Sequence, residues 1–245
     1  MKQSIVFLIS LIFSHIIYAG GQSTSGGGGV IINGKVMTFV TYHQLVNKNI
    51  ESKAAVILNF LTSLDIAAQS KESLPQAENN YFVFKNAVSK NLGQFSQLKK
   101  LLTFVKNSPV FDFQERTLLL QVINPSQDRK YSDLKISDIT HESKTLMIDE
   151  YSAITLYPKN KITLFAITES QTQKTFIFPT FYQLTETEQI AILFHENLWL
   201  AFPNADYKTI IQIEGLFQYI FETPFPDQNI VDIFQAKLRY LIMTL

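Results

Sequence analysis

Residues 186–204, ETEQIAILFHENLWLAFPN, are the stretch around which the rest of this chain has to fit. Thr185 and Glu188 make the Thr-x-x-Glu spacing of a capping box, so a helix is expected to open there. On that helix Ile190, Ala191, Ile192, Leu193, Phe194, Leu198, Trp199, Leu200, Ala201 and Phe202 cover nearly every direction. A helix that is apolar all round belongs in an interior, and other elements have to surround it. His195, Glu196 and Asn197 are the polar groups in its middle. An unpaired carboxylate there would cost several kcal/mol or take up a proton. Glu196 is therefore expected either to meet a donor or to line a cleft. The three arginines of the chain, Arg116, Arg129 and Arg239, are the candidate partners.

The surrounding sequence reads as α+β, with helices in the majority. Ala54, Ile57, Leu58, Leu61, Ile66 and Ala67 form one helical stripe, and Phe95, Leu98, Leu101, Leu102 and Val105 another. Residues 111–123, between Pro109 and Pro125, are apolar enough for a buried helix or strand, and helix is favoured because Gln114, Glu115 and Arg116 would sit on one turn. Helices are also expected over about 207–222 and 228–243. Short β-prone runs at 145–148, 153–157, 162–167 and 175–178 predict a small antiparallel sheet. An earlier hairpin is predicted from Val30-Ile31-Ile32, a turn at Asn33-Gly34, and Lys35 to Val40. The expectation is a helix-rich single globular domain over 30–245 with a small antiparallel sheet and a buried His-Glu helix.

The N-terminus bears on compartment. Met1-Lys2 gives a short positive start, Ile5 to Tyr18 is apolar apart from Ser10, Ser14 and His15, and Ala19 precedes Gly20-Gly21. The apolar run of about fourteen residues is shorter than the roughly twenty that span a bilayer as a helix. Residues 1–19 are accordingly read as a secretory signal peptide, with an uncleaved anchor as the alternative, since Ile17 is large for its position before the junction. The mature protein is expected to be exported, periplasmic or secreted, with no transmembrane segment. Residues 20–29 are Gly, Ser, Thr and Gln and are expected to be a flexible leader.

Several chemistries are excluded or disfavoured by composition. There is no cysteine, which removes disulfides, thiol nucleophiles and cysteine-based metal sites. Lys and Arg number 21 against 21 Asp and Glu, with no basic stripe, which argues against a nucleic-acid partner. After Gly34 the only glycines are Gly93 and Gly215, so no nucleotide-binding glycine loop and no G-x-S-x-G elbow can be written there.

His195-Glu196 is half of a zinc-protease signature. In His-Glu-x-x-His the two histidines grip one zinc from a single helix face and the glutamate acts as base on the metal's water. Position i+4 here is Trp199, whose indole offers no lone pair. A metal set of His195 and Glu214 with His43 or His141 is conceivable, with Glu196 as the catalytic base. The alternative is a buried helix whose His and Glu are paired structurally. His141-Glu142 lies in a polar segment and reads as a solvated loop.

The sequence of signal-like start, Gly-rich leader, early strand, helical middle, late strands and the segment Leu184 to Glu196 resembles a loose group of exported proteins from environmental and predatory proteobacteria. That resemblance covers the first 40 residues and about 175–220. It implies a zincin-like region and no assigned activity. Two function classes stand. One is a non-catalytic exported binding or envelope-associated domain on the zincin-like scaffold the resemblance implies, with no cofactor and an unknown envelope or extracellular partner. The other is a metal-dependent, peptidase-like hydrolase using the His195-Glu196 helix and zinc.

Overall fold

A computed structural model describes residues 23–24, 27–49, 52–69, 89–91, 94–123, 130–134, 155, 157–169, 174–202 and 205–243. The architecture is α+β and rich in helix, with small sheets that are antiparallel but for one pair. Along the chain come β1 (Ser23–Thr24), β2 (Gly28–Ile32), β3 (Lys35–Thr38), α1 (Phe39–Val46), α2 (Lys53–Gln69) and β4 (Ser89–Asn91). They are followed by α3 (Ser96–Asn107), α4 (Phe113–Ile123), β5 (Lys130–Asp133), β6 (Ile162–Leu164), β7 (Ala166–Glu169) and β8 (Lys174–Ile177). The chain closes with α5 (Glu186–Ala201), α6 (Tyr207–Glu222) and α7 (Gln228–Met243).

The interior helix is α5. Its capping box is complete: Thr185 Oγ1 accepts the Glu188 N–H, and the Glu188 carboxylate accepts the Thr185 N–H. Every residue from Glu188 to Trp199 is buried. Around it pack α6, α3, α4 and β7, while α6 in turn packs on α7 and α2. Phe194 stacks on Phe217 of α6 with ring centroids 4.0 Å apart, and Phe234 of α7 closes the same aromatic group. Fully burying each such side chain contributes about 1.5–3 kcal/mol, so the all-round apolar sequence is what draws these helices together.

The strands form two sheets, of order β1-β7-β8-β5-β4 and β3-β2-β6, where one had been expected. Pairing is antiparallel except between β5 and β8. The run expected as one strand over 162–167 divides at Phe165, where the chain leaves one sheet for the other. Residues 23–24 and 28–30 pair with it antiparallel on either side of that division at the same register, from Ser23 opposite Glu169 to Val30 opposite Ile162. The hairpin turn is as the sequence requires, with Asn33 at φ 50° and Gly34 at φ 75°. Two positive φ values in succession are the type I′ geometry that Asn-Gly adopts most readily.

Three expectations are corrected. The flexible leader over 20–29 does not extend to its end, because Gly27, Gly28 and Gly29 are buried and Gly28 opens β2. Small residues are there for close approach: a Cβ on Gly29 would sit 2.3 Å from the Met37 carbonyl oxygen and 2.6 Å from the Phe165 ring. Phe39 and Val40 begin α1 instead of ending the strand, since Thr38 caps that helix by accepting the Thr41 N–H. Within the run expected as a strand over 153–157, Thr155 is helical. The expected signal peptide over 1–19 and the strand at 145–148 lie outside the described residues.

Candidate functional site

The helix α5 carries His195, Glu196 and Asn197 into the interior, each with no exposed surface. The two halves of the His-Glu pair face different neighbours.

Glu196 faces the sheets. Its Oε1 accepts the backbone N–H of Gly27, and its Oε2 accepts the Thr168 hydroxyl at 2.5 Å. Thr168 lies on β7, and its Oγ1 is 2.8 Å from that of Thr175 on β8. The Gly27 contact replaces a rung of the ladder. Gly27 stands opposite Phe165, and the Phe165 N–H donates to the Gly27 carbonyl at 2.8 Å. An ordinary hydrogen-bonded antiparallel pair would return the Gly27 N–H to the Phe165 carbonyl. Instead that carbonyl accepts from the Phe178 N–H at 2.9 Å, and the Gly27 N–H turns to Glu196. The carboxylate thus satisfies the donor that is left over where the chain passes from one sheet to the other. Only glycine brings the backbone this close, for a Cβ on Gly27 would stand 2.9 Å from two carbons of Ile192.

Two of the three arginines expected as partners for Glu196 are engaged elsewhere. Arg116 donates to the Ser108 and Phe111 carbonyls, closing the turn before α4. Arg239 pairs with Glu115, and Arg129 is outside the described residues. Among the described residues, Glu196 meets a backbone N–H and a hydroxyl, both neutral donors.

His195 faces α6. Its Nδ1 is 2.9 Å from Glu214 Oε2, and its Nε2 accepts the Trp199 indole N–H at 2.9 Å. An indole nitrogen can only donate. Nε2 is therefore the bare nitrogen, Nδ1 carries the proton, and Glu214 accepts it. Burial pushes the Glu214 carboxyl above the usual carboxylate range, against the opposing pull of its bond to His195. For His195 burial disfavours the imidazolium, but the hydrogen bond and charge of Glu214, with Glu196 behind, raise the proton affinity overall. A second proton would have to enter at Nε2, where the Trp199 N–H already points. In this geometry the ring is neutral, and it takes up a proton only if the indole moves.

The structure brings His195 and Glu214 together, as the metal set required, but as a hydrogen-bonded pair whose histidine has no nitrogen left to ligate. His43 lies on α1 with its ring against Phe60 (centroids 5.1 Å apart) and close to Tyr42 and Tyr157. Its Nδ1 has no hydrogen-bond partner, and burial holds its pKa below the ordinary imidazole value. His141 is outside the described residues. Among the described residues, no group of three or more His, Asp or Glu side chains is placed to hold a metal ion.

Sequence reasoning did not find Gly27, Thr168 or the second role of Glu188. Besides closing the cap of α5, Glu188 accepts the Thr38 N–H at 3.0 Å, and Thr38 Oγ1 donates to the buried Gln218 of α6 at 2.9 Å. The start of α1 is thereby fastened to both central helices. The lone signal for Gly27 was the glycine run itself, which reads equally well as a tether. Asn197 is buried with neither side-chain atom bonded. No helix among the described residues is long and apolar enough to cross a membrane.

No protein-family model, curated protein or solved structure matches this chain.

Proposed function

We propose that this protein is an exported, non-catalytic binding or envelope-associated domain in which the His195-Glu196 helix is a structural pillar. The observation that carries the reading is the Trp199 N–H on His195 Nε2. In a zinc hydrolase that nitrogen, or its counterpart, has to ligate metal, and the glutamate has to face a metal-bound water. Here Glu196 instead faces Gly27 and Thr168, and both residues are fully buried. A substrate would have to displace the chain's own N-terminal strand to reach them. Export rests on the charged start, the apolar run Ile5 to Tyr18 and the Ala19-Gly20 junction.

The competing reading is a metal-dependent hydrolase, and the meeting of His195 with Glu214 favours it to the extent that these two were candidate ligands. One preparation separates the two. Full-length chain is expressed, recovered from the periplasmic or culture fraction and purified without chelator, and its intact mass and zinc content are measured. The proposal expects loss of residues 1–19 or 1–20 and zinc well below one equivalent. Stoichiometric zinc would overturn the non-catalytic reading, and a species retaining Met1 would overturn export.

A further inference from the structure

Between the first turns of α6 and the last turns of α7 lies an open cleft of about 600 Å3, lined by Asp206, Lys208, Thr209, Gln212, Lys237 and Tyr240. Its organising residue is Gln212, which is fully buried. The Gln212 Nε2 donates to Asp65 Oδ1 of α2 at 2.9 Å, with the Leu61 carbonyl 3.4 Å away. With its amide fixed from α2, Gln212 presents Oε1 to the half-buried Lys237 of α7, and Lys237 Nζ donates to it at 2.7 Å. Three helices thus hold one ammonium group at the wall of a cleft.

That ammonium touches no carboxylate directly, although Asp65 and Asp206 stand near enough to favour its charge. Asp65 Oδ1 accepts from Gln212 and lies 3.3 Å from Lys208 Nζ. Asp206 is engaged by its own helix, accepting the Thr209 N–H at 2.8 Å and the Thr209 hydroxyl at 2.7 Å. Among the described residues no carboxylate lies within ion-pair distance of Lys237. An ammonium has three donors, and Gln212 takes one. Lys208, itself 3.3 Å from Asp65 Oδ1, brings a second ammonium to the cleft, and Tyr240 exposes 58% of its surface on the same wall. A half-buried cation held by a neutral amide, beside an exposed ring, suits a ligand that brings its own negative charge and some apolar surface.

We propose that the α6–α7 cleft binds a small organic oxyanion, a carboxylate or phosphate ester, with its charged group on Lys237 and Lys208 and its apolar part against Tyr240. The inference is independent of how the His-Glu helix is read. Burial lowers the proton affinity of Lys237, with Asp65 and Asp206 raising it and Lys208 lowering it further. An anion seated in the cleft acts in the raising direction.

The test is NMR of the full chain with carbon-13-labelled lysine side chains, titrated separately with benzoate, phenyl phosphate and the uncharged benzyl alcohol. The expected result is saturable movement of the Lys237 signal with at least one anion, an upward shift of its pKa on saturation, and none of this with benzyl alcohol. Binding only by benzoate assigns a carboxylate ligand, and only by phenyl phosphate a phosphate ester. Lys237→Gln should weaken binding at least tenfold, read from Lys208, while Lys237→Arg retains it. No saturable change with either anion, equal binding of benzyl alcohol, or unchanged affinity in a folded Lys237→Gln protein would overturn the proposal.

Discussion

Replacing Glu196 tests whether it serves as a rung of the sheet or as half of an ion pair. Leucine at this position removes both acceptors and leaves two buried donors, the Gly27 N–H and the Thr168 hydroxyl. Thr168 can turn its hydrogen to Thr175, whose Oγ1 is 2.8 Å away, provided the Thr175 hydroxyl, which donates to Thr168 in the wild type, turns in its place to another acceptor. The Gly27 N–H makes no other hydrogen bond, and the Phe165 carbonyl opposite, which accepts from Phe178, could take it as a second donor only if the backbone shifted. One stranded buried amide costs about 1–3 kcal/mol, and that is the destabilisation expected for Glu196→Leu. Glutamine should behave differently. Its Oε1 can take the Gly27 N–H, and its Nε2 can donate to Thr168 Oγ1 once that hydroxyl has turned to Thr175. Glu196→Gln is therefore expected to lose less than about 1 kcal/mol. Urea unfolding at pH 7 measures both, the leucine variant shifting the midpoint by about 1 M for ordinary slopes of 1–3 kcal/mol/M. Amide exchange at Gly27 should quicken in Leu and not in Gln. If Gln is as damaging as Leu, at about 3–5 kcal/mol, then Glu196 pairs with a buried cation and the rung argument is wrong. If Leu is neutral, the carboxylate is not holding the N-terminal strand.

Three further substitutions test other parts of the structure. Trp199→Phe removes the donor on His195 Nε2 and should cost about 1–3 kcal/mol at pH 8. Because the folded environment raises the His195 pKa, the freed nitrogen can then take a proton, which stabilises the fold below the ordinary imidazole pKa of 6.5 and fades as pH rises through the raised value. The deficit against wild type in thermal unfolding should accordingly shrink at pH 5.5, and an equal deficit at both pH values would refute the assignment of tautomer. Gly29→Ala should destabilise by about 3 kcal/mol or more, since its Cβ meets a backbone oxygen that no rotamer change can move. Gly34→Ala, with a positive φ but open space around it, should lose only about 1–2 kcal/mol. The reverse order in denaturant midpoints would show that turn conformation outweighs close packing here.

Some features of this protein were written in local sequence. The capping box at Thr185, the all-round apolar run behind it, the helices over 207–222 and 228–243 and the Asn-Gly turn each follow from rules that act within a few residues, and each was found where the sequence put it. The position of Trp199 one turn after His195 was equally legible, because residues four apart on a helix stand one above the other. That spacing shows that the second zinc ligand is missing; that the indole caps the imidazole depends on rotamers. The partners of Glu196 were decided by tertiary structure alone. A buried carboxylate needs donors, and the sequence offered three arginines as the obvious ones. Which donors reach it depends on where residues 23–24 and 27–30 lie against 162–169, a pairing between segments more than a hundred residues apart that local periodicity does not encode. The glycines before Val30 show the same limit. A run of glycine reads as slack chain until a neighbouring backbone, the ring of Phe165 and the side chain of Ile192 leave room for nothing larger. Local pattern fixed which helix would be buried, and long-range packing decided what its polar groups would hold.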